Sequence, residues 1–195
     1  MHSHNPFFFF FLHRSRIQEV MDSEEYRRDN ELVRKRLCEA TIPEYDILQW
    51  GKLYFLNDVI ERNPFQTDYF VWIDGGYGRG EEIHPKEGVW KPFKLFDHMD
   101  EVTFLEREDV EHYRTKVGRL HKMSINIIPG GFFGGGARAL KRLYALQQQL
   151  VIDWLDSGMV DDDQTMYMQL YYKHPELFNL VRADWYDAFR LFVKD

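Results

Sequence analysis

The stretch YFVWIDGGYGRG, residues 69–80, decides how the chain is read. Five apolar residues, Tyr69 to Ile73, run unbroken into Asp74, and Gly75 and Gly76 then remove every side chain beside that carboxylate. A short, β-rich run bounded by turn signals and apolar throughout reads as a strand covered on both faces. A carboxylate at the end of such a strand is partly desolvated, and it stays ionised only with a cation or good hydrogen bonds.

Working outward, Pro43 breaks a charged segment over residues 22–40, which reads as a helix opened by a capping box of Asp22 and Glu25. A second helix follows over residues 45–62, with Trp50, Leu53, Leu56 and Ile60 on one face, and Asn63-Pro64 ends it. Beyond the Asp74 turn, residues 101–106 (EVTFLE) and 124–129 (SINIIP) read as strands. The glycine-rich GGFFGGG, residues 130–136, reads as a loop leading into a long helix to about Asp156. DDDQ, residues 161–164, opens a further helix that Pro175 stops, and LFNLVRADW offers a last short strand. Strands alternating with helices predict a three-layer α/β domain on a mostly parallel central sheet, with ligands at the carboxyl ends of strands. That places Asp74, GGFFGGG and DDDQ along one rim. Residues 1–16 are expected to be irregular or disordered, with a buried strand around the phenylalanine run as the alternative, and residues 17–195 form a single domain.

Composition narrows the function. At 195 residues, 44% hydrophobic and 16% aromatic, the chain can bury a sizeable core. Its net charge of −7 argues against a large nucleic-acid footprint. The single cysteine, Cys38, excludes an intramolecular disulfide and a Cys-rich zinc site, and favours a cytoplasmic setting. No segment reaches the roughly 18 apolar residues of a membrane span, and the run at residues 7–12 lacks a following small-residue cleavage site.

Three motifs could carry chemistry. Asp74 could hold a divalent ion, Gly75 and Gly76 permit positive φ and close approach of a ligand, and Arg79 suits a diphosphate or carboxylate. The plain alternative is a strand-ending turn whose aspartate caps nearby amides. In GGFFGGG, Gly130, Gly131, Gly134 and Gly135 expose backbone amides next to a helix start, and Phe132 and Phe133 offer a platform for a sugar ring. A closely packed crossover is the alternative. In DDDQ, Asp161 or Asp162 is a natural N-cap and Asp161 with Gln164 fits a capping box, yet three adjacent carboxylates exceed what a cap needs, which leaves Asp162 or Asp163 for catalysis in the cleft, Asp162 being the candidate general base on an acceptor hydroxyl. Lys173 complements the dipole at a helix end and His174 precedes the stop, with metal ligation by His174 the lesser alternative. Neither a P-loop nor GxSxG is present.

Taken together, NPFQTDYFVWIDGGYGR, GGFFGGGARAL and DDDQTMYMQLYYKHPELF resemble the HtrL/YibB family of glycosyltransferase-like proteins, over about residues 45–192. The resemblance implies a GT-A-like fold that is incomplete at the N-terminus, and transfer of a sugar from a nucleotide-activated donor to a carbohydrate-type acceptor. It implies Asp74 as the first acid of a metal-binding D-x-D element for Mn2+ or Mg2+, although Gly76 stands where the second acid belongs. Gly130 to Gly135 would line a donor or acceptor pocket, Asp162-Asp163-Gln164 would carry the second acidic element, and Lys52 or Arg79 would balance diphosphate charge. The competing reading is a non-catalytic carbohydrate- or nucleotide-binding relative without the donor-binding half. A phosphoester-processing α/β enzyme is third.

Overall fold

The computed structural model describes residues 7–35, 37–85, 88–123 and 126–193. Four strands form one sheet in the order β1-β3-β2-β4: β1 is Tyr69–Ile73, β2 Val102–Glu106, β3 Phe132–Gly136 and β4 Phe178–Arg182. β3 runs antiparallel to both β1 and β2, and only β2 and β4 are parallel. The sheet is therefore mixed and mostly antiparallel, which overturns the mostly parallel sheet expected from the alternation of elements. Covered strands do not require parallel pairing. Here both faces are buried because two separate sets of elements pack on them.

The pleat assigns each residue to a face. Phe70, Val102, Phe104, Phe133 and Phe178 join one core with the helices α1 (Phe7–Asp22), α3 (Pro43–Arg62), α4 (Ala137–Asp156) and α5 (Asp163–Lys173). Tyr69, Leu105 and Phe132 join a second core with Tyr77, Leu95, Phe192 and Ala188, the last on the short helix α6 (Ala188–Leu191). On the helix face the rings form a ladder: Trp72 stacks on Phe133, Phe133 on Phe104 at 5.3 Å, and Phe104 on Phe178 at 5.4 Å. Each such pair adds about 0.5–1.5 kcal/mol beyond the area it buries.

GGFFGGG is not a loop. Its last five residues form β3, and the last two glycines are needed because neighbouring backbone comes too close for a side chain. A Cβ on Gly136 would lie 2.2 Å from the Met99 carbonyl oxygen, and one on Gly135 would lie 2.8 Å from that of Glu101. The strand expected over residues 124–129 does not form in its described part, residues 126–129; Ser124 and Ile125 lie outside the described residues.

The front of the chain also differs from expectation. Residues 7–22 are helical where an irregular segment was expected through residue 16, and Ile17, Val20 and Met21 of that helix pack into the core; Met1 to Pro6 lie outside the described residues. The charged segment after it, expected as one helix over residues 22–40, holds among its described residues the short helix α2 (Glu24–Asp29) and a 3-10 helix over Cys38–Ala40; the cap of α2 is Ser23, accepting from the Tyr26 amide, rather than Asp22. Pro43 opens α3, where its missing N–H costs nothing, and Asn63 closes it in the left-handed region at φ 34°. Among the described residues no helix is long and apolar enough to cross a membrane.

Candidate active site

The three sequence motifs do meet, around one buried lysine. The two-residue period of β1 puts Asp74 on the same side as Trp72, facing α3. The β1–β3 ladder continues one step past the strand, with the Asp74 amide donating to the Gly131 carbonyl at 2.9 Å. Trp72 Nε1 then donates to Asp74 Oδ1 at 2.7 Å, and Lys52 Nζ, from α3, lies 3.5 Å from the same oxygen. Lys52 also donates to Asp163 Oδ2 at 2.8 Å and to the Gly130 carbonyl at 3.0 Å. One ammonium thus ties together β1, the turn before β3 and the start of α5. Gly130 must be glycine for this contact, since a Cβ there would fall 2.0 Å from Asp163 Oδ2.

Electrostatics follow from burial. Desolvation works to lower the Lys52 pKa, but Asp163 and then Asp74 outweigh it and hold the ammonium above its usual value. For Asp163, burial raises the carboxyl while Lys52 opposes it; the 2.8 Å contact fits the charge-paired form. Behind this pair lies an acidic pocket. Burial, followed by the nearby Asp161 and Asp162, pushes Asp46 well above the carboxylate range, and neither of its oxygens has a hydrogen-bond partner among the described residues. Asp161 is pushed up to about 7, chiefly by burial. Asp162 is raised well above normal by burial and by its two neighbours. The chain reaches this pocket under restraint: Tyr26 donates to the Val160 carbonyl and Trp50 Nε1 to that of Asp161. Tyr167, fully buried against Phe104, keeps a hydroxyl without a partner among the described residues.

Of the two candidate caps it is Asp162 that caps α5, accepting from the Gln164 and Thr165 amides at 3.0 and 3.4 Å, and buried in that role it faces no cleft as a general base. Gln164 reaches back to Asp162 and across to Asn126. Asp162 and Asp163 are thus buried and engaged by a cap and an ion pair. Asp74 differs from both. Its side chain is 41% exposed, and its Oδ2 has no hydrogen-bond partner among the described residues. It lines an open cleft of about 210 Å³ together with Gly76, Tyr77, Arg79, Gly131 and two residues near the C-terminus, Trp185 and Tyr186.

The glycines sort into two groups. Gly130 is required by packing, whereas a Cβ on Gly75 or Gly76 would meet nothing within 4 Å. Positive φ falls at Gly78, Gly80 and Arg79, not at Gly75 or Gly76, so the bare backbone next to Asp74 leaves open space without being forced by conformation. Phe132 and Phe133 are fully buried on opposite faces of the sheet and present no ring to a cleft. Gly134 and Gly135 lie inside β3. Arg79 points no ion pair at any described residue. Trp72, Trp185 and Tyr186 were not anticipated. The i, i+2 spacing of Trp72 and Asp74 signals the first; DWYD, residues 184–187, follows no helical or strand period and gives little warning of the other two.

Comparison with known proteins agrees with the motif reading at family level. The family model described as "Bacterial protein of unknown function (HtrL_YibB)" matches residues 4–194. Protein HtrL of Escherichia coli (strain K12) is 29% identical over 187 residues, which cover 92% of this chain and 64% of that protein; the chain therefore spans a little under two thirds of this relative's length. No solved structure gives a match. With a family model covering nearly every residue, the chain belongs to the HtrL/YibB family.

Proposed function

We propose that the chain is a glycosyltransferase that moves a sugar from a nucleotide-activated donor to a carbohydrate-type acceptor, in the cleft headed by Asp74. One observation carries the reading: the half-exposed Asp74 carboxylate and the Arg79 guanidinium, unpaired among the described residues, share a cleft beside bare backbone, and the acid is held from behind by Trp72 and Lys52. In the reaction an acceptor hydroxyl oxygen bonds to the anomeric carbon while the bond from that carbon to the phosphate oxygen breaks. The electron pair leaves on the diphosphate, and the hydroxyl proton is released to solvent. The barrier lies largely in the charge that builds on the diphosphate, so a fixed cation at the leaving group contributes most. Arg79 suits that role because its planar fork matches phosphate oxygens.

Among the described residues no cluster of three or more His, Cys, Asp or Glu is arranged to hold a metal. Asp74 alone still fits a Mn2+ or Mg2+ ion that takes its remaining ligands from phosphate oxygens and water, since such ions use only one or two carboxylates. Bound there, the ion would neutralise the diphosphate. The reading gives Asp163 and Lys52 positioning roles, because both are buried and act on Asp74 through each other. Asp162 orders the start of α5 beside them.

The test is thermal unfolding with UDP, GDP, ADP and CMP, each with and without Mn2+. A nucleotide at a hundredfold its Kd stabilises by about 2.7 kcal/mol, or about 5–11 °C in a chain of this size. Stabilisation by one nucleotide, lost in Asp74→Asn, is expected. No shift with any of them defeats the proposal, and binding without turnover of the sugar nucleotide returns the chain to a binding module.

A further inference from the structure

Trp185 and Tyr186 line two hollows. On the side away from Asp74 lies a larger groove of about 470 Å³, walled also by Glu81, Glu82, Arg107, Asp184, Asp187 and Arg190. Its volume falls within the roughly 300–1,000 Å³ of small-molecule sites. The two hollows differ in the charge they leave available. In the groove, Arg107 is paired with Asp184 at 2.9 Å and lies over the Trp185 ring, 5.4 Å from its centroid, and Arg190 is paired with Asp187 at 2.8 Å. Glu81 and Glu82 have no side-chain partner among the described residues, nor have the Trp185 indole N–H and the Tyr186 hydroxyl. The groove thus offers two open carboxylates, Glu81 and Glu82, while its other two and both guanidinium groups are engaged in ion pairs with each other. In the Asp74 cleft the guanidinium of Arg79 has no ion-pair partner among the described residues.

We infer that this groove is a second binding site, for an uncharged or amino-bearing sugar of one or two rings, and that it excludes phosphorylated sugars. Trp185, covered by Arg107 on one face, and Tyr186 form an aromatic wall against which the apolar side of a sugar can pack, and the Glu81 and Glu82 carboxylates accept from its hydroxyls. An anion entering the groove would meet the unpaired carboxylates of Glu81 and Glu82 with no free cation among the described lining residues to offset them. Contiguity with the Asp74 cleft through Trp185 and Tyr186 makes the groove the acceptor's place; that assignment rests on the transferase reading, whereas sugar binding itself does not.

The two are separated by measuring binding without any nucleotide. Tryptophan fluorescence and saturation-transfer NMR are recorded with maltose, cellobiose, N,N′-diacetylchitobiose and glucosamine, and with glucose 6-phosphate against glucose. At least one neutral or amino sugar is expected to bind. Its Kd should rise at least tenfold in Trp185→Ala and at least threefold in the exposed double variant Glu81→Gln/Glu82→Gln, which leaves the fold untouched, and should not change in Asp74→Asn. Glucose 6-phosphate should bind at least tenfold more weakly than glucose. The inference is overturned if none of the sugars binds at 50 mM, if the Glu81/Glu82 variant binds like wild type, or if the phosphorylated sugar binds as well as glucose. Loss of nucleotide binding in Asp74→Asn with sugar binding intact would leave this inference standing whatever becomes of the transferase reading.

Discussion

Replacing Lys52 by methionine should unfold the site from within. Methionine keeps the apolar stem but removes the ammonium that Asp163 meets at 2.8 Å and the Gly130 carbonyl at 3.0 Å. The Asp163 side chain is only 4% exposed, so water cannot take the lysine's place. Breaking a buried pair from one side costs about 3–5 kcal/mol, which in a chain of this size lowers Tm by about 6–20 °C. Asp163 can escape part of that cost by taking up a proton, so the loss should be larger at pH 8 than at pH 5. Adding Asp163→Leu, which reproduces the branched outline of aspartate, should recover most of the stability, because apolar replacement of both partners is often neutral or favourable. Asp74 would still have lost its second tether, so nucleotide binding should not recover with the fold. Urea unfolding followed by circular dichroism at the two pH values measures all of this. If Lys52→Met costs under about 1 kcal/mol, or the double variant is no more stable than the single, the lysine is not the centre of the network, since broken buried pairs cost several times that.

Two further outcomes follow from the same geometry. Asp161, pushed up to about 7, and Asp46, pushed well above normal, bind protons more tightly folded than unfolded. Their contribution is complete below about pH 4, where unfolded aspartates titrate; that of Asp161 is lost as pH rises through about 7, and that of Asp46 as pH rises through its own raised pKa. Asp46→Asn should therefore raise Tm at pH 8 and change it little at pH 4, which differential scanning calorimetry at both pH values would read. Gly130→Ala, whose Cβ would meet Asp163, should destabilise the fold, whereas Gly76→Ala, with nothing within 4 Å, should leave Tm within about 2 °C of wild type, as surface changes usually do, and weaken nucleotide binding instead.

What could be read from sequence, and what could not, divides along periodicity. α3, α4 and β1 carry repeating apolar spacing or a continuous apolar run, and they form close to where that pattern puts them. β3 is strand despite three glycines in five residues, because tertiary approach of the Met99 and Glu101 backbones leaves no room for anything larger; no local propensity signals that. The direction of the strands was misread for a related reason. Strands that alternate with helices along the sequence suggest parallel neighbours, but antiparallel β3 lies between β1 and β2, and the second face is covered by the 3-10 helix around Leu95 and by residues 188–192, far along the chain. The convergence of Asp74, Gly130 and Asp163 was legible as a shared rim, although it is produced by antiparallel pairing. The aromatic wall at Trp185 and Tyr186 was not legible, since loop residues carry no period to betray which way they face.

The most direct test is release of nucleoside diphosphate from UDP-, GDP- and ADP-linked sugars, with Mn2+ and a disaccharide acceptor, by the wild-type chain and by Asp74→Asn. The account predicts release above the uncatalysed background from one of these donors, and at least a hundredfold less from the variant at an unchanged Tm. An equal rate from Asp74→Asn, or no release from any of the donors by the folded wild-type chain, would contradict it.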